Sequence, residues 1–443
     1  MSSTSDSSIS SGGDASTSSN DSILATTSSD EEEDQKHRKM RLHFLLIARI
    51  RNRNSERLKK FAPLRLNWAE YVAQLIQQNE FGVTFRMSLL SFNKLVETLR
   101  VKLEVDVDQA QRSCKKSGPV LPELVVAMSL RWLAGGQWQD IKKVYGVSKS
   151  HFYLLRKKFM NAVVTCAALE IRLPDASDIT ALQLLASQFE GNASVPVFRG
   201  CVGALDGMTV FIKAPTAVEA ENVLAYYSGY YKHDSLNVQA LSDYQGKFLY
   251  FAVAAPGSFP DSKALELTNL KKWIDSLPPG FFVVADNAYI LSEHMMIPFS
   301  GSLRHVPEHS SYNYFLSQLR IRVEQAFGQY SVKWRIIRKP LETKLSTSSI
   351  VLTTCARLHN FIIENDWKEH DEEVTSEDVV GNLNEIYRPS LTKFRSPPGA
   401  SFLRDIIVKH IEQNGYRRPS YNRIRNEEQE LVNYEVYETL HLM

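Results

Sequence analysis

The chain has 443 residues, 43% hydrophobic and 23% charged, with a formal net charge of +2. These proportions exclude a wholly disordered chain and a coiled-coil rod, and the length calls for two or three domains. No run of about 18 apolar residues exists, so no membrane-spanning helix is expected, and the Ser-, Asp- and Gly-containing start does not read as a secretory signal.

Charge is unevenly placed along the chain. Residues 1–35 carry Asp6, Asp14, Asp21, Asp30, Glu31, Glu32, Glu33 and Asp34 and no Lys or Arg. Setting those eight aside from the 50 acids leaves 42 against 52 Lys and Arg, a basic remainder suited to a polyanionic partner. The 1–35 segment is Ser- and Thr-rich with few large apolar groups, so it is expected to be disordered. Residues 36–65 are basic, with Lys36, Arg38, Lys39, Arg41, Arg49, Arg51, Arg53, Arg57, Lys59 and Lys60 against Glu56. Nuclear import or nonspecific DNA contact is one reading. A solvated helix with an apolar face of Phe44, Leu45, Ile47 and Ile50 is the other.

Residues 66–165 read as a helical domain. Leu89, Phe92, Leu95, Val96 and Leu99 recur at spacings of three and four. Leu124 to Leu133 predicts a helix that stops at Gly135-Gly136. Trp138, Ile141 and Val144 predict a short one ended by Gly146. Ser148 is an N-cap candidate for a third, with Phe152, Leu155 and Phe159 as its buried stripe. This is the outline of a helix-turn-helix, whose last helix can read a DNA major groove. Lys149 and His151 would face base edges, and Arg156 and Lys157 phosphates. An ordinary helical bundle with a charged outer face has the same outline.

From about 195 to 366 the pattern is α/β. Strands are expected at Cys201–Leu205, Thr209–Ile212, Asn237–Leu241, Phe248–Ala254 and Phe281–Ala285, the last an unbroken apolar run suited to burial on both faces. Helices are expected at Ser262–Leu277, Tyr312–Trp334 and 348–366. Residues 367–443 read as a charged tail with too few periodic apolar positions for another domain. Cys114, Cys166, Cys201 and Cys355 form no CxxC pair, which argues against a zinc knuckle or disulfide framework and for a reducing intracellular compartment.

Two strands end in a carboxylate, Asp206 and Asp286, and a third acid, Glu324, sits in an apolar helical stretch. Desolvating a lone carboxylate is costly unless it is paired or metal-bound. Three such acids around a sheet edge make a hard-oxygen site for Mg²⁺ or Mn²⁺. Two ions there could clamp the attacking and leaving oxygens of phosphoryl displacement. Capping or ion-paired acids remain the alternative at this point. Asp243 and Asp261 read as turn and helix-cap residues, with a supporting role as the other option. His305 and His309 lack the pattern of a zinc-protease helix.

Six blocks in order resemble the Harbinger-type (PIF/Harbinger) DDE transposases. They are Val202-Gly203-Ala204-Leu205-Asp206-Gly207-Met208-Thr209; Ser235 to Ala240 with Asp243; Pro256-Gly257-Ser258 with Asp261-Ser262; Ala285-Asp286-Asn287-Ala288-Tyr289; Arg322 to Gly328 followed by Lys333-Trp334-Arg335; and Leu358-His359-Asn360. Two positions depart from the pattern: Asn287-Ala288-Tyr289 stands where Gly-Tyr-Pro is common, and Gln325 where Arg is frequent. The resemblance implies an RNase H-like fold, a mixed five-stranded sheet flanked by helices and preceded by an all-α helix-turn-helix-like domain. It implies that Asp206, Asp286 and Glu324 bind two divalent ions and cleave DNA phosphodiester bonds, with strand transfer by the freed 3′-hydroxyl. The expected partners are transposon-end DNA, a separate Myb-like DNA-binding protein and further copies of this chain, in the nucleus and away from membranes. Lys333, Arg335, Arg338 and Lys339, close behind Glu324, are expected to track phosphates. A domesticated nuclear DNA-binding or scaffold protein without cleavage is the alternative function.

Overall fold

The computed structural model describes residues 23–56, 64–105, 118–366 and 401–419. The chain divides into two units between Ala62 and Pro63. In the first, α1 (Ile23–Glu56) is one helix. Residues 23–35 are therefore helical, where disorder was expected. Acids one turn before bases add a little to helix stability, as the exposed Asp34–Arg38 pair does at 3.9 Å. Residues 1–22 of that expected disorder, and Arg57, Lys59 and Lys60, lie outside the described residues. The apolar side chains Phe44, Leu45 and Ile47 of α1 are exposed.

The second unit opens with helices α2 (Trp68–Gln77), α3 (Phe81–Phe85) and α4 (Leu89–Leu103). The Ser88 hydroxyl caps α4 by accepting from Ser91 N at 3.2 Å. Helix α5 (Pro122–Leu133), short α6 (Trp138–Val144) and α7 (Lys149–Val164) follow with the boundaries that the glycines and Ser148 predict. Ser148 accepts from His151 N at 3.2 Å. Gly146, between α6 and α7, has a φ of +64°, and a Cβ there would meet Leu64 O at 1.9 Å. Only glycine fits, because the incoming chain runs against that turn. Arg65 fastens the same crossing by donating to Gly146 O at 2.7 Å.

A helix absent from the sequence expectations, α8 (Ile179–Gly191), is capped by Asp178 and precedes the sheet. The strands are β1 (Cys201–Phe211), β2 (Tyr227–Ser228), β3 (His233–Ser242), β4 (Phe248–Pro256), β5 (Phe282–Val284) and β6 (Met295–Met296). Their order is β2-β3-β1-β5-β6, with β4 also beside β3. β3 pairs antiparallel with both β1 and β4, whereas β5 runs parallel to β1 and β6 parallel to β5. The sheet thus has six strands, not the expected five. The expected strands at Cys201–Leu205 and Thr209–Ile212 are one, β1, and two short strands were not expected: β6, and β2, which pairs with His233 and Asp234 beyond the reach of β4. A mixed sheet with flanking helices fits an RNase H-like nuclease fold.

Two helices, α9 (Asp261–Glu266) and α10 (Asn269–Asp275), stand where one was expected, separated at Thr268. With α8 they cover one sheet face, where Leu182, Leu265, Leu270 and Ile274 pack with Val202, Leu205 and Val283. Long α11 (Pro307–Lys333) and α12 (Leu345–Asp366) belong to the larger core. In α12, Asn360 pairs with Phe248 like a strand neighbour, its Oδ1 accepting from Phe248 N at 2.8 Å and its Nδ2 donating to Phe248 O at 2.7 Å. His359 meets Gly246 O at 3.0 Å, and burial drives its imidazole down to about 4. The residues expected to be only a tail include α13 (Phe402–Gln413). Its Ile407 and Ile411, one turn apart, enter the main core, and Arg418 N donates to Ser311 Oγ on α11 at 3.1 Å. Among the described residues no helix is long and apolar enough to cross a membrane. Cys166, Cys201 and Cys355 are buried free thiols.

The helices of 66–165 and the sheet region, read from sequence as separate domains, share one hydrophobic core. Asp366, the last residue of α12, seals the junction. Its carboxylate accepts from Ser88 N at 3.0 Å and Ser88 Oγ at 2.6 Å, and from Ser91 Oγ. It is 3% exposed, so deleting it strands a buried donor on Ser91 and two on half-buried Ser88. Asp366→Ala should therefore lower unfolding stability by about 3 kcal/mol in urea titrations. A loss below about 1 kcal/mol would show that this carboxylate does not hold the two parts together.

Candidate active site

The parallel register of β1 and β5 builds the site. Ala204 is level with Val284, so two residues further on Asp206, within β1, and Asp286, just past the end of β5, come close enough for their charges to interact. Asp206 lies inside β1 and not at a strand end as expected, but β5 stops at Val284 and leaves that side of β1 open. Alternation puts Asp206 on the face of Ala204 and Met208, which belong to the core that α11 completes with Val323 and Ala326. Glu324 sits between those two residues of α11.

The acids are buried and close enough to repel. Asp206 is 2% exposed and Asp286 8%. Burial raises the Asp206 carboxyl well above the usual range, and Asp286 adds to the rise, while Arg320 opposes it. Burial likewise pushes Asp286 up to about 6, against the hydrogen bond from Ala288 N at 2.8 Å. Asp206 Oδ1 accepts from Gly207 N at 2.7 Å, but its Oδ2 receives no hydrogen bond. Arg320 Nη1 stands 3.9 Å from that oxygen and donates to Glu324 Oε1. Burial works against the Arg320 charge, yet Glu324, Asp206 and Asp286 hold its pKa above the ordinary value.

Asp261 is the acid that sequence reasoning undervalued. It stands in the first turn of α9, yet its side chain caps nothing. Asn237 Nδ2 donates to its Oδ1 at 2.8 Å and Gln239 Nε2 at 3.1 Å. A Cβ on Gly207 would lie 2.1 Å from that same oxygen, so the glycine after Asp206 is what lets Asp261 reach the strand. Burial raises the Asp261 carboxyl, and its charge in turn raises both Asp206 and Asp286. The signal available in the sequence was Asp206-Gly207 itself, a side-chain-free position beside a buried acid. The departing Asn287-Ala288-Tyr289 segment also serves this network: Ala288 N holds Asp286, and Tyr289 donates to Gln239 Oε1 at 2.7 Å. Asp243 is a turn residue, accepting from Lys247 N at 2.8 Å.

Among the described residues no group of three His, Cys, Asp or Glu side chains is arranged to hold a metal ion. The donor set nevertheless fits one. Its donors are all carboxylate oxygens, suited to hard divalent ions, and the buried Asp206 Oδ2 lacks any hydrogen-bond partner. His309 stacks on Phe299 at 3.8 Å between ring centres and bonds Leu303 O, apart from these acids.

The basic candidates divide into two places. On α7, Lys149 Nζ lies 4.8 Å from the Trp138 ring centre, and the Arg156 guanidinium 4.0 Å from that of Trp132. His151 is half-buried, its imidazole lowered by burial and then by Arg65. Lys157 is exposed, on a stripe with Ser150, Leu154 and Asn161. Behind α11, Arg335, Arg338 and Lys339 are exposed. Lys333 is not part of that surface: burial lowers its ammonium to about 8, against the pull of Asp366. Arg335 instead rests on the Gly135 turn, 3.1 Å from where a Cβ would stand, and Arg335, Arg131 and Arg338 all lower Arg86 after burial does.

Residues 205–360 match the family model described as DDE superfamily endonuclease, a span that contains Asp206, Asp286 and Glu324. No curated protein and no solved structure gave a significant match. The matched span supports a DDE transposase family and a nuclease activity for this part of the chain.

The burial of Asp286 has a measurable pH signature. Its folded pKa of about 6 exceeds the roughly 3.9 of a free Asp, so its contribution to stability is fully present below about pH 4 and is lost as pH rises through about 6. The loss amounts to about 3 kcal/mol at 1.36 kcal/mol per unit. In EDTA, Asp286→Asn should stabilise the protein by about that amount at pH 7.5 and have little effect at pH 4, read by urea unfolding. Equal effects at both pH values would show that the carboxylate is not desolvated.

Proposed function

We propose that the chain is a divalent-metal-dependent DNA endonuclease of the transposase kind, with Asp206, Asp286 and Glu324 as its metal ligands. The observation that carries this is the pair of buried carboxylates brought close by adjoining parallel strands, facing the helix of Glu324, one with an oxygen that receives no hydrogen bond. Two bound Mg²⁺ or Mn²⁺ ions would supply activation of water and charge stabilisation on the leaving oxygen. The chain's own part is to set the acids close together and hold them there. Gly207 N and Ala288 N fix one oxygen each of Asp206 and Asp286, while Asn237 and Gln239, the latter held by Tyr289, fix Asp261 beside them. Acids that repel one another this strongly favour divalent charge at neutral pH. The scaffold reading without cleavage has less support, since a stable fold has no use for mutually repelling buried carboxylates.

Membership of the Harbinger subgroup, strand transfer, a Myb-like partner, self-association and nuclear residence belong to the same proposal. The six sequence blocks support the first four, and the basic residues of α1 support the last. DNA contact is assigned to two surfaces. Lys149, His151, Arg156 and Lys157 on α7 would meet the groove and its phosphates. Arg335, Arg338 and Lys339 would track phosphates, with Arg86 and Arg131 adding positive potential around Arg335. Lys333, half-buried and drawn by Asp366, is left out of the phosphate-tracking set.

Purified protein with Mn²⁺ and labelled DNA should give nicks that Asp206→Asn abolishes. Full cleavage by that variant would sink the assignment. Replacing Arg335, Arg338 and Lys339 together with Ala should weaken binding to all DNA sequences and reduce the slope of log affinity against log salt by about 2–3. An unchanged slope would mean that these side chains meet only solvent.

A further inference from the structure

Asp206 and Glu324 share a neighbour, and it is a cation. Arg320 stands four residues before Glu324 on α11, on the same helix face. Its Nη1 donates to Glu324 Oε1, and the same nitrogen lies 3.9 Å from Asp206 Oδ2. That oxygen is the one without a hydrogen bond. The Arg320 side chain is 21% exposed, so most of its charge is screened from water. Among the described residues no other Lys or Arg makes an ion pair with Asp206, Asp286 or Glu324.

We propose that Arg320 is a built-in counter-cation of the acid cluster, holding Asp206 and Glu324 together and competing with divalent ions for Asp206 Oδ2 and Glu324 Oε1. The inference rests on reading the cluster as a divalent-cation site, and goes beyond it by assigning a competitor inside that site. A guanidinium stays charged at any physiological pH, so the positive charge beside these acids is permanent. A divalent ion must take the Glu324 oxygen that Arg320 holds, and must reach Asp206 Oδ2 beside a fixed positive charge 3.9 Å from it. At a separation of a few ångströms and partial burial, that repulsion is large on the scale of binding energies. The arrangement explains why the acids are close enough to repel and yet form no ready three-ligand cage: Glu324 is held by Arg320. It also keeps a cluster of buried carboxylates compatible with a folded chain.

Calorimetric titration of the full chain with Mn²⁺ tests this, using wild type, Asp206→Asn, Arg320→Gln and Arg320→Lys. Binding to wild type and its loss in Asp206→Asn establish the site; their failure removes the metal reading itself. Given binding, Arg320→Gln should bind Mn²⁺ at least about tenfold more tightly, and Arg320→Lys, which keeps the charge, should stay within about threefold of wild type. Equal or weaker binding by Arg320→Gln, or an equal gain in Arg320→Lys, overturns the counter-cation role and leaves the site standing. Should Arg320→Gln fail to fold, the wild-type chain carries the test. Phenylglyoxal modification of Arg320, mapped by mass spectrometry, should be faster with saturating Mn²⁺ than in EDTA. An unchanged or slower rate overturns the proposal.

Discussion

The parallel pairing of β1 with β5 is the constraint on which the rest of this molecule depends. Because Ala204 is level with Val284, Asp206 and Asp286 cannot avoid each other. A slip of one residue would put one of them on the opposite face of the sheet. The register is held by apolar contacts on both faces, with Val202, Leu205 and Val283 against α8 to α10 and Ala204 and Val284 in the core that α11 completes. Ordinary hydrophobic burial thus does the unfavourable work of bringing like charges together.

Once the carboxylates are together, their surroundings have to make the charge tolerable. Backbone N–H groups at Gly207 and Ala288 each take one oxygen. Asn237 and Gln239 steady Asp261, and Arg320 supplies positive charge to Glu324 and Asp206. Each arrangement uses a residue at a fixed offset from an acid, which gives the motif blocks a physical meaning. Gly207 is the clearest case, since any side chain there would collide with Asp261.

The helical part is bound to this centre through packing and one carboxylate. Asp366 closes α12 onto the start of α4, and Lys333 at the end of α11 lies beside it. The chain between α11 and α12 lies against the Gly135 turn through Arg335. The basic surface around Arg335 therefore draws on both halves, Arg86 and Arg131 from the helices and Arg335 and Arg338 from behind the site. One hydrophobic core carries both halves.

The sequence by itself determined the local elements whose signals are local. The boundaries of α5, α6 and α7 follow from Gly135-Gly136, Gly146 and the Ser148 cap, and the apolar run at 281–285 marks β5. The family blocks picked out Asp206, Asp286 and Glu324, three acids that the fold places within reach of Arg320's charge. Helix α8 and the break between α9 and α10 were not legible, since neither shows a strong break in apolar periodicity. Nor was α13, whose Ile407 and Ile411 become core only when α11 is there to receive them. What only the tertiary structure decided was proximity. That Asp261 reaches Gly207, that Arg320 reaches Asp206 and that Lys333 is withdrawn toward Asp366 depends on strands and helices crossing at distant points of the chain. A linear pattern records what each residue is, whereas burial and charge depend on what the fold places opposite it.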